Sequence, residues 1–355
     1  MIVFFPTYAH RIAPKGSWRV TVSGMVSRPL PLASRRRTMA VAVFKRLLRL
    51  DEMQLASPIF QDRADAFLFQ RIAGQPVQIR LGDRTIGVGV SDRTGHFESS
   101  FDLDEATVAT TATPTPSGWR LPFTLVTDPL EPAVTEPAAG EVQLVDREGV
   151  SVISDIDDTI KVTNVADRRE LLANTLLREF MAVPDMVAAY RDWASRGVAF
   201  HYVSASPWQL AVSLRQFFDT VGLPSGSMHL RLFRLKDSTP LGRLPSAKRS
   251  KRAAIIRIFD HFPRRRFILV GDSGERDPAV YAAVARQRPE QIAGVAIRRV
   301  ASSRPWPKVE QQLRQLAGRL PAGGLRVFHA AAELDDLIPE PAVPPADYQG
   351  LSNAF

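Results

Sequence analysis

A short apolar run that ends in a cluster of acids is the feature that most limits how this chain can fold. Val150, Val152 and Ile153 are apolar and β-branched, which favours a buried β-strand. Asp155 and Asp157 follow directly, and a third acid comes next. Carboxylates this close repel each other, and one is driven toward protonation unless a cation lies among them. The pattern therefore predicts a strand whose carboxyl end holds a metal and a reacting group.

Two further segments end in the same way. The apolar run 266–270 leads into Asp272, and the run 198–203 leads into Ser204. Ligands of open α/β sheets bind outside the carboxyl ends of the strands, so three such ends predict one shared site. A single acidic turn after a strand is also common for purely structural reasons, and the first motif alone is ambiguous.

The order of the predicted elements divides the chain into two parts. From residue 148 onward, apolar strands alternate with helical segments, which predicts an α/β fold with a parallel sheet and flanking helices over residues 148–338. Residues 1–147 contain short alternating segments and turn residues, which predict a smaller β-rich, sandwich-like domain of unknown role. Residues 106–117 are predicted as a loop, and the Pro-rich segment 339–355 as a disordered tail.

Composition limits the classes of function. The chain of 355 residues has no cysteine, which excludes thiolate metal ligands and a cysteine nucleophile and fits a reducing compartment. Lys and Arg outnumber Asp and Glu by 46 to 37, so the surface is expected to attract anionic partners. No apolar run reaches transmembrane length. We therefore expect a cytoplasmic protein; neither a specific nucleic acid nor a protein partner is predicted.

One basic segment leaves two interpretations open. Residues 38–50 have apolar positions at helical spacing, and six Lys and Arg residues lie on this segment or just before it. Such a helix can lie on an acidic membrane surface, which would make the protein peripheral there. More often a helix of this kind packs its apolar face on its own domain.

Each polar strand end has a candidate chemical role. Asp155 is the candidate nucleophile, which attacks phosphorus to form an aspartyl phosphate. Asp157 is the candidate general acid and base. Ser204 is expected to hydrogen-bond a phosphoryl oxygen, and Thr159 and Ser206 are further candidates for substrate binding. Ser206 is also expected to cap the helix that follows it.

An all-oxygen metal site is expected at the same place. Mg²⁺ suits carboxylate ligands, and the predicted ligands are Asp155, Asp157, Asp272 and Asp277. Asp277 precedes a proline, so a helix cap is its alternative role.

A cluster of basic residues begins a helix predicted over residues 248–262. Cations are unfavourable at a helix N-terminus unless an anion lies there, so the cluster predicts a phosphate nearby. Lys251 shares the core-facing stripe with Ile255 and is the candidate that clamps the phosphate and neutralises transition-state charge. Lys248 is the second candidate, and a solvated basic run is the alternative for the whole cluster.

Taken together, these motifs resemble a known superfamily. D-x-D-x-T at Asp155, the serine at 204, a lysine on a later helix and G-D-x-x-x-x-D at residues 271–277 are similar to the four motifs of the haloacid dehalogenase (HAD) superfamily of phosphatases. The strings ISDIDDTIK, VSASPW and FILVGDSGERD resemble more specifically the phosphatidate phosphatase catalytic domain named after a yeast actin-patch protein. The resemblance covers about residues 149–300. It implies a Rossmann-like HAD domain and Mg²⁺-dependent removal of phosphate from phosphatidate to give diacylglycerol.

We therefore predict a Mg²⁺-dependent phosphatidate phosphatase, with phosphatidate or a related lipid phosphate as substrate. One alternative keeps phosphomonoester hydrolysis but acts on a soluble or nucleic-acid phosphate, which the basic charge fits as well. The second alternative is a non-catalytic lipid-binding or scaffold protein. The four motifs disfavour it, because a binding module has no need of Asp157 beside Asp155.

Overall fold

The structure is a computed structural model, and it describes residues 1–12, 16–31, 33–126, 138–231, 247–301 and 305–338. The predicted tail 339–355 lies outside the described residues. The strands of the described chain form two separate sheets, one in each half of the sequence, and helices lie between and beside the strands.

Among its described residues, the N-terminal half contains ten strands in one hydrogen-bonded sheet. They are β1 (Ile2–Phe5), β2 (Thr7–Ile12), β3 (Ser17–Pro29), β4 (Phe69–Arg71), β5 (Pro76–Leu81), β6 (Arg84–Val90), β7 (His96–Leu103), β8 (Thr113–Thr115), β9 (Gly118–Leu125) and β10 (Ala139–Val145). All pairs are antiparallel except β2 with β10. Strand β3 pairs with β1, β2, β4 and β7, because it is long enough to hold two neighbours on each edge.

Strands lie where the alternating segments predict them, so the prediction of a β-rich N-terminal half is confirmed. In β3, Trp18, Val20 and Val22 are buried and alternate with more exposed residues. The two-layer sandwich and the boundary between residues 147 and 148 stay predictions.

Four helices interrupt these strands: α1 (Arg35–Leu48), α2 (Glu52–Ala56), α3 (Pro58–Asp65) and α4 (Glu105–Thr111). The prediction of a loop over residues 106–117 is wrong, since this segment contains most of α4 and all of β8. Asp104 accepts a hydrogen bond from the backbone N–H of Thr107 at 2.7 Å, and Val108 is fully buried. The Asp104 cap and the burial of Val108 stabilise a helix here, although the composition of the segment is typical of loops.

In the described part of the C-terminal half, six strands form a sheet, and all of their pairings are parallel. They are β11 (Val150–Ser154), β12 (Ala199–Pro207), β13 (Ser227–Arg231), β14 (Arg266–Asp272), β15 (Ile292–Arg298) and β16 (Leu325–Phe328). Across the sheet their order is β13-β12-β11-β14-β15-β16. The first strand therefore lies between the second and the fourth, which is the order of doubly wound α/β sheets and creates a switch point beside β11.

Six α-helices connect these strands: α5 (Arg168–Leu176), α6 (Met186–Ser195), α7 (Ala211–Val221), α8 (Ala247–His261), α9 (Asp277–Ala285) and α10 (Trp306–Ala317). After α5 the chain turns back, so that the N–H of Val162 bonds to the carbonyl of Met181 at 2.8 Å. The segment after β16 forms a single 3₁₀ turn, Ala331–Leu334.

Side chains that alternate along the parallel strands fill two cores, one on each face of the sheet. Val152 packs with residues of α6 and α7, whereas its neighbour Ile153 packs with residues of α8, α9 and α10. The predicted α/β architecture with a parallel sheet and flanking helices is thus confirmed. Both faces of β11 are buried, so its functional groups emerge only at its carboxyl end.

The two halves are in direct contact. Tyr8 of β2 packs into the core beside α8, and its hydroxyl hydrogen-bonds to Nδ1 of His261 at 2.9 Å. The backbone N–H of Met228 donates to the carbonyl of Pro6 at 2.9 Å. The N-terminal sheet is therefore placed against the edge of the parallel sheet that carries β13.

Candidate active site

The carboxyl ends of β11 and β14 bring two predicted acids together at the switch point. The backbone N–H of Asp155 donates to the carbonyl of Val270 at 2.9 Å, so the ladder between the strands continues past the end of β11. This pairing places Asp155 beside the end of β14, where Asp272 lies. Both side chains are almost completely buried.

A third acid, Glu275, completes an acidic cluster with Asp155 and Asp272. One carboxylate oxygen of each lies within 4.8 Å of the others. Asp272 Oδ1 accepts hydrogen bonds from the backbone N–H groups of Gly274 at 2.6 Å and Glu275 at 2.8 Å, and this tight turn brings Glu275 back over the strand end. Sequence reasoning missed Glu275, although it lies within the G-D-x-x-x-x-D motif.

The acidic cluster has the properties of a cation site. Burial, with the charges of neighbouring carboxylates, raises the pKa of Asp155 and of Asp272 well above the ordinary value, and burial also raises the pKa of Glu275. Oδ2 of Asp155 and Oδ2 of Asp272 are buried and accept no hydrogen bond from the described residues. Unpaired carboxylate oxygens in a buried all-oxygen site fit a hard divalent cation such as Mg²⁺.

Lys251 is the cation that reaches this cluster from the start of α8. It is 5% exposed, and its Nζ lies 2.8 Å from Asp155 Oδ1, 3.1 Å from Glu275 Oε2 and 2.7 Å from Asp277 Oδ1. Burial by itself would lower the pKa of Lys251, but the surrounding carboxylates raise it well above its ordinary value. The lysine is therefore a charged group beside Asp155, whereas Lys248 is half-exposed and forms no ion pair with the described residues.

Asp277 does not act as a helix cap. It is the first residue of α9, and Arg276 at the cap position makes no side-chain bond to the helix. The Asp277 carboxylate instead accepts hydrogen bonds from Lys251 and from the backbone N–H of Asp272 at 3.3 Å. It therefore orients the lysine and the strand end, and it lies next to the acidic cluster rather than within it.

Asp157 is also held outside the acidic cluster. Its Oδ1 lies 2.8 Å from Nζ of Lys161, which is 1% exposed, and it accepts a hydrogen bond from Thr163 Oγ1 at 2.7 Å. Burial alone would raise the pKa of Asp157, but the charge of Lys161 and the hydrogen bonds lower it to about 2. Asp157 is therefore an ionised carboxylate in this arrangement, and sequence reasoning missed the buried lysine that keeps it so.

The predicted serines both face Asp157. Ser204 Oγ donates to Asp157 Oδ2 at 3.3 Å, and the hydroxyl of Ser206 donates to the same oxygen. The expectation that Ser206 caps a helix is wrong, because the following 3₁₀ turn has Pro207 at the cap position and no side-chain cap. Thr159 is completely buried, and its hydroxyl has no hydrogen-bond partner within the described ranges.

The loop that follows β11 is anchored by Asp158. This residue has a φ of 54°, a conformation that Asp tolerates better than most residues. Its carboxylate accepts backbone hydrogen bonds from Thr163 at 2.8 Å, from Asn164 at 2.7 Å and from Val165 at 2.7 Å. Arg298 of β15 donates to its carbonyl at 2.7 Å. The third acid of the motif therefore shapes the loop that carries Asp157.

The parallel sheet has the doubly wound strand order, and buried acids and a lysine lie at its switch point. Residues 150–299 match the sequence model of the family described as phosphatidate phosphatase APP1, catalytic domain. This match confirms the predicted resemblance to that enzyme domain for this part of the chain.

Two curated proteins are similar over larger segments. An uncharacterized protein of Schizosaccharomyces pombe is 33% identical over 177 residues, which cover 48% of this chain and 29% of that protein. Phosphatidate phosphatase APP1 of Saccharomyces cerevisiae is 31% identical over 264 residues, which cover 69% of this chain and 41% of that protein. The chain therefore spans less than half the length of these relatives. A solved structure described as a carbohydrate esterase aligns with 94% of this chain and 93% of its own at 10% identity, and its TM-score of 0.20 is too low to show a shared fold.

Proposed function

We propose that the protein is a HAD-like phosphatidate phosphatase, which hydrolyses phosphatidate to diacylglycerol and phosphate. The family match over residues 150–299 supports the substrate, and the four motifs with the doubly wound strand order support the HAD assignment. The observation that carries the proposal is the contact between Asp155 and Lys251 at the switch point. It places a potential nucleophile beside a cation that can accept negative charge from a phosphoryl group.

In the first step, a carboxylate oxygen of Asp155 attacks phosphorus, and the bond from phosphorus to the glycerol oxygen breaks. Diacylglycerol leaves after its oxygen takes a proton, and an aspartyl phosphate remains on Asp155. Lys251 stabilises the negative charge on the phosphoryl oxygens, and Ser204 and Ser206 supply hydroxyl groups on the other side of the site. Water then attacks the aspartyl phosphate and releases phosphate.

Asp157 is the proposed acid and base for these two steps. Because Lys161 keeps it ionised, it suits the base role, in which it accepts a proton from the attacking water. The acid role toward the departing alkoxide needs a carboxyl group that carries a proton. That role therefore requires a weaker contact between Asp157 and Lys161 in the complex with substrate.

Asp155, Asp272 and Glu275 are the residues proposed to hold Mg²⁺. One carboxylate oxygen of each lies within 4.8 Å of the others, and Oδ2 of Asp155 and of Asp272 has no hydrogen-bond partner among the described residues. Asp157 and Asp277, which the sequence also suggested as ligands, lie outside this acidic cluster. A bound Mg²⁺ would neutralise negative charge on the phosphoryl oxygens.

The exposed side chains of helix α1 suit contact with an acidic membrane surface. Ala40, Val41 and Phe44 pack against the cluster that contains residues of α3 and α5, whereas Met39 is 70% exposed and Val43 is 55% exposed on the outer side. The helix carries no acid and has exposed arginines near both ends. The structure describes no helix that is long and apolar enough to cross a bilayer. We propose that α1 lies on the headgroup layer and holds the protein at the surface that contains its lipid substrate.

The activity is tested by measuring phosphate release from dioleoyl phosphatidate in mixed micelles, from a soluble aryl phosphate and from a 3′-phosphorylated oligonucleotide. Each substrate is used with Mg²⁺ and with EDTA, for the wild type and for Asp155→Asn. Faster turnover of phosphatidate that needs Mg²⁺ and Asp155 is the expected result. Turnover of the soluble phosphates alone favours the first alternative, and lipid binding without any turnover favours the scaffold alternative.

Membrane contact is tested by cosedimentation with vesicles of phosphatidylcholine, with and without phosphatidate. Replacing both Met39 and Val43 with Asp is expected to reduce binding to the acidic vesicles about tenfold or more, because two exposed apolar side chains become anionic. Val327→Asp, on the exposed edge strand β16, is the matched control. Equal binding of the two variants would remove α1 as the contact surface.

A further inference from the structure

A cleft of about 780 Å³ lies between the two halves of the chain, and we call it the junction cleft. Its wall in the C-terminal half is formed by one face of α8 with the ends of β12 and β13. Lys251 lines it near the start of α8, and His261 lines it at the end of the helix. At 1.5 Å per residue these positions are about 15 Å apart. The junction cleft therefore extends about 15 Å along α8 from the candidate active site.

The reacting groups and the junction cleft share two side chains. Ser204 and Lys251 line the cleft, and they also contact Asp157 and Asp155 respectively. A phosphate group held at Asp155 would therefore have its ester substituent directed toward the opening of the cleft.

Large apolar side chains from both halves line the junction cleft. They are Phe5, Phe97, Trp208, Met228 and Leu230. Trp208 follows the serine segment of β12, and its ring centroid lies 5.8 Å from that of Phe5 and 5.2 Å from that of His96. Trp208 is largely buried, and it is the large apolar side chain of the cleft that follows the serine segment most closely in sequence.

The N-terminal sheet supplies the opposite wall. Along β3, Val20 and Val22 point into the N-terminal core, while Thr21 and Ser23 line the junction cleft. Arg257 of α8 reaches across to Glu98 of β7 with an N···O distance of 3.4 Å. The width of the cleft therefore depends on the N-terminal half.

We propose that the junction cleft binds an acyl chain of the lipid phosphate, and that the N-terminal sheet thereby takes part in substrate selection. This inference rests on the proposed function. The cleft begins at the reacting groups, aromatic and aliphatic side chains from both halves line it among polar ones, and its length suits an extended hydrocarbon chain. Each methylene group that it buries would improve kcat/KM about fourfold.

The first experiment compares the wild type with a variant in which the cleft is filled. Ser23→Trp places a large side chain in the cleft, whereas Thr85→Trp adds the same side chain at an exposed position of β6. Substrates are dihexanoyl and dioleoyl phosphatidate, both presented in detergent micelles. We expect Ser23→Trp to lose at least about tenfold in kcat/KM on the long-chain lipid and less than about threefold on the short one.

Ala254→Phe fills the junction cleft from α8 and repeats the test if Ser23→Trp does not fold. Equal losses on both lipids, or no loss relative to Thr85→Trp, would overturn the assignment of the cleft. Absence of lipid hydrolysis by the wild type would instead overturn the proposed function, so the two failures are distinguishable.

A second experiment needs no turnover. Phosphatidate with brominated acyl chains is added to Asp155→Asn, and tryptophan fluorescence is recorded. Trp208 is the tryptophan that lines the junction cleft within the described residues, so bromine in the cleft is expected to quench its emission. Trp208→Phe in the same background should abolish most of this quenching. Unchanged quenching after that replacement would show that the chain binds elsewhere.

Discussion

Replacing Lys251 with methionine tests the electrostatics of the candidate site most directly. The variant keeps the length of the side chain but leaves Asp155, Glu275 and Asp277 without the cation that contacts all three. Loss of one partner from a buried ion pair typically destabilises a protein by about 3–5 kcal/mol. We therefore expect the free energy of unfolding to fall by at least about 3 kcal/mol at neutral pH without divalent metal.

The loss of stability should depend on pH with a definite sign. Without Lys251, repulsion among the carboxylates raises the pKa values of Asp155 and Glu275 in the folded state further above those of the unfolded chain. A raised folded-state pKa stabilises the protein at low pH and loses this contribution as the pH rises. The difference between wild type and variant should therefore be smaller at pH 5.5 than at pH 8.

Catalysis should suffer as well. Loss of a preorganised charged donor at a developing anion typically costs about 100- to 1000-fold in kcat. Urea unfolding followed by circular dichroism gives the stability, and phosphate release from phosphatidate gives kcat. Lys248→Met is the matched control: because that side chain is half-exposed, we expect it to change stability by less than about 0.5 kcal/mol. Equal stability and equal kcat for the two variants would refute the reasoning.

Three further predictions concern the candidate nucleophile, the metal and the buried histidine His201 of β12. Asp155→Asn should reduce phosphate release to background with an unchanged circular dichroism spectrum, because an amide cannot attack phosphorus; near-normal turnover removes Asp155 as nucleophile. Glu275→Gln should raise the Mg²⁺ concentration for half-maximal activity at least about tenfold, which calorimetric titration checks, while exposed Glu290→Gln should not. Burial keeps the pKa of His201 well below its ordinary value. Between pH 7 and pH 5 this histidine therefore becomes protonated in the unfolded chain but stays neutral in the folded chain. Its contribution should lower the free energy of unfolding by about 2 kcal/mol over this range. His201→Gln should flatten that dependence, and an identical pH profile would contradict the assignment.

Local signals in the sequence determined the elements and the position of the site. Val150–Ser154 forms the predicted strand, and Asp155 and Asp272 meet at neighbouring strand ends, as the predicted parallel sheet requires. These features follow from residue type and short-range periodicity. Apolar β-branched runs favour buried parallel strands, and the carboxyl ends of such strands share one edge.

Tertiary structure alone decided which charges pair. Asp155, Asp157 and Asp277 are equal candidate ligands in the sequence. In the structure Lys161 pairs with Asp157, and Lys251 pairs with both Asp155 and Asp277. Glu275 enters the acidic cluster through a tight turn. Ion pairing depends on distances of about 3 Å between side chains, and sequence spacing does not specify such distances.

Local sequence patterns do not predict the junction cleft either. Its walls come from β3 and α8, which are more than 200 residues apart in the chain, and only the docking of the two halves brings them together. Alternation along β3 predicted which side chains share a face, but it did not predict which part of the chain would cover the outer face. That partner is selected by burial of Tyr8 and Trp208 at the junction, because these large side chains lose water contact only when both sheets are in place.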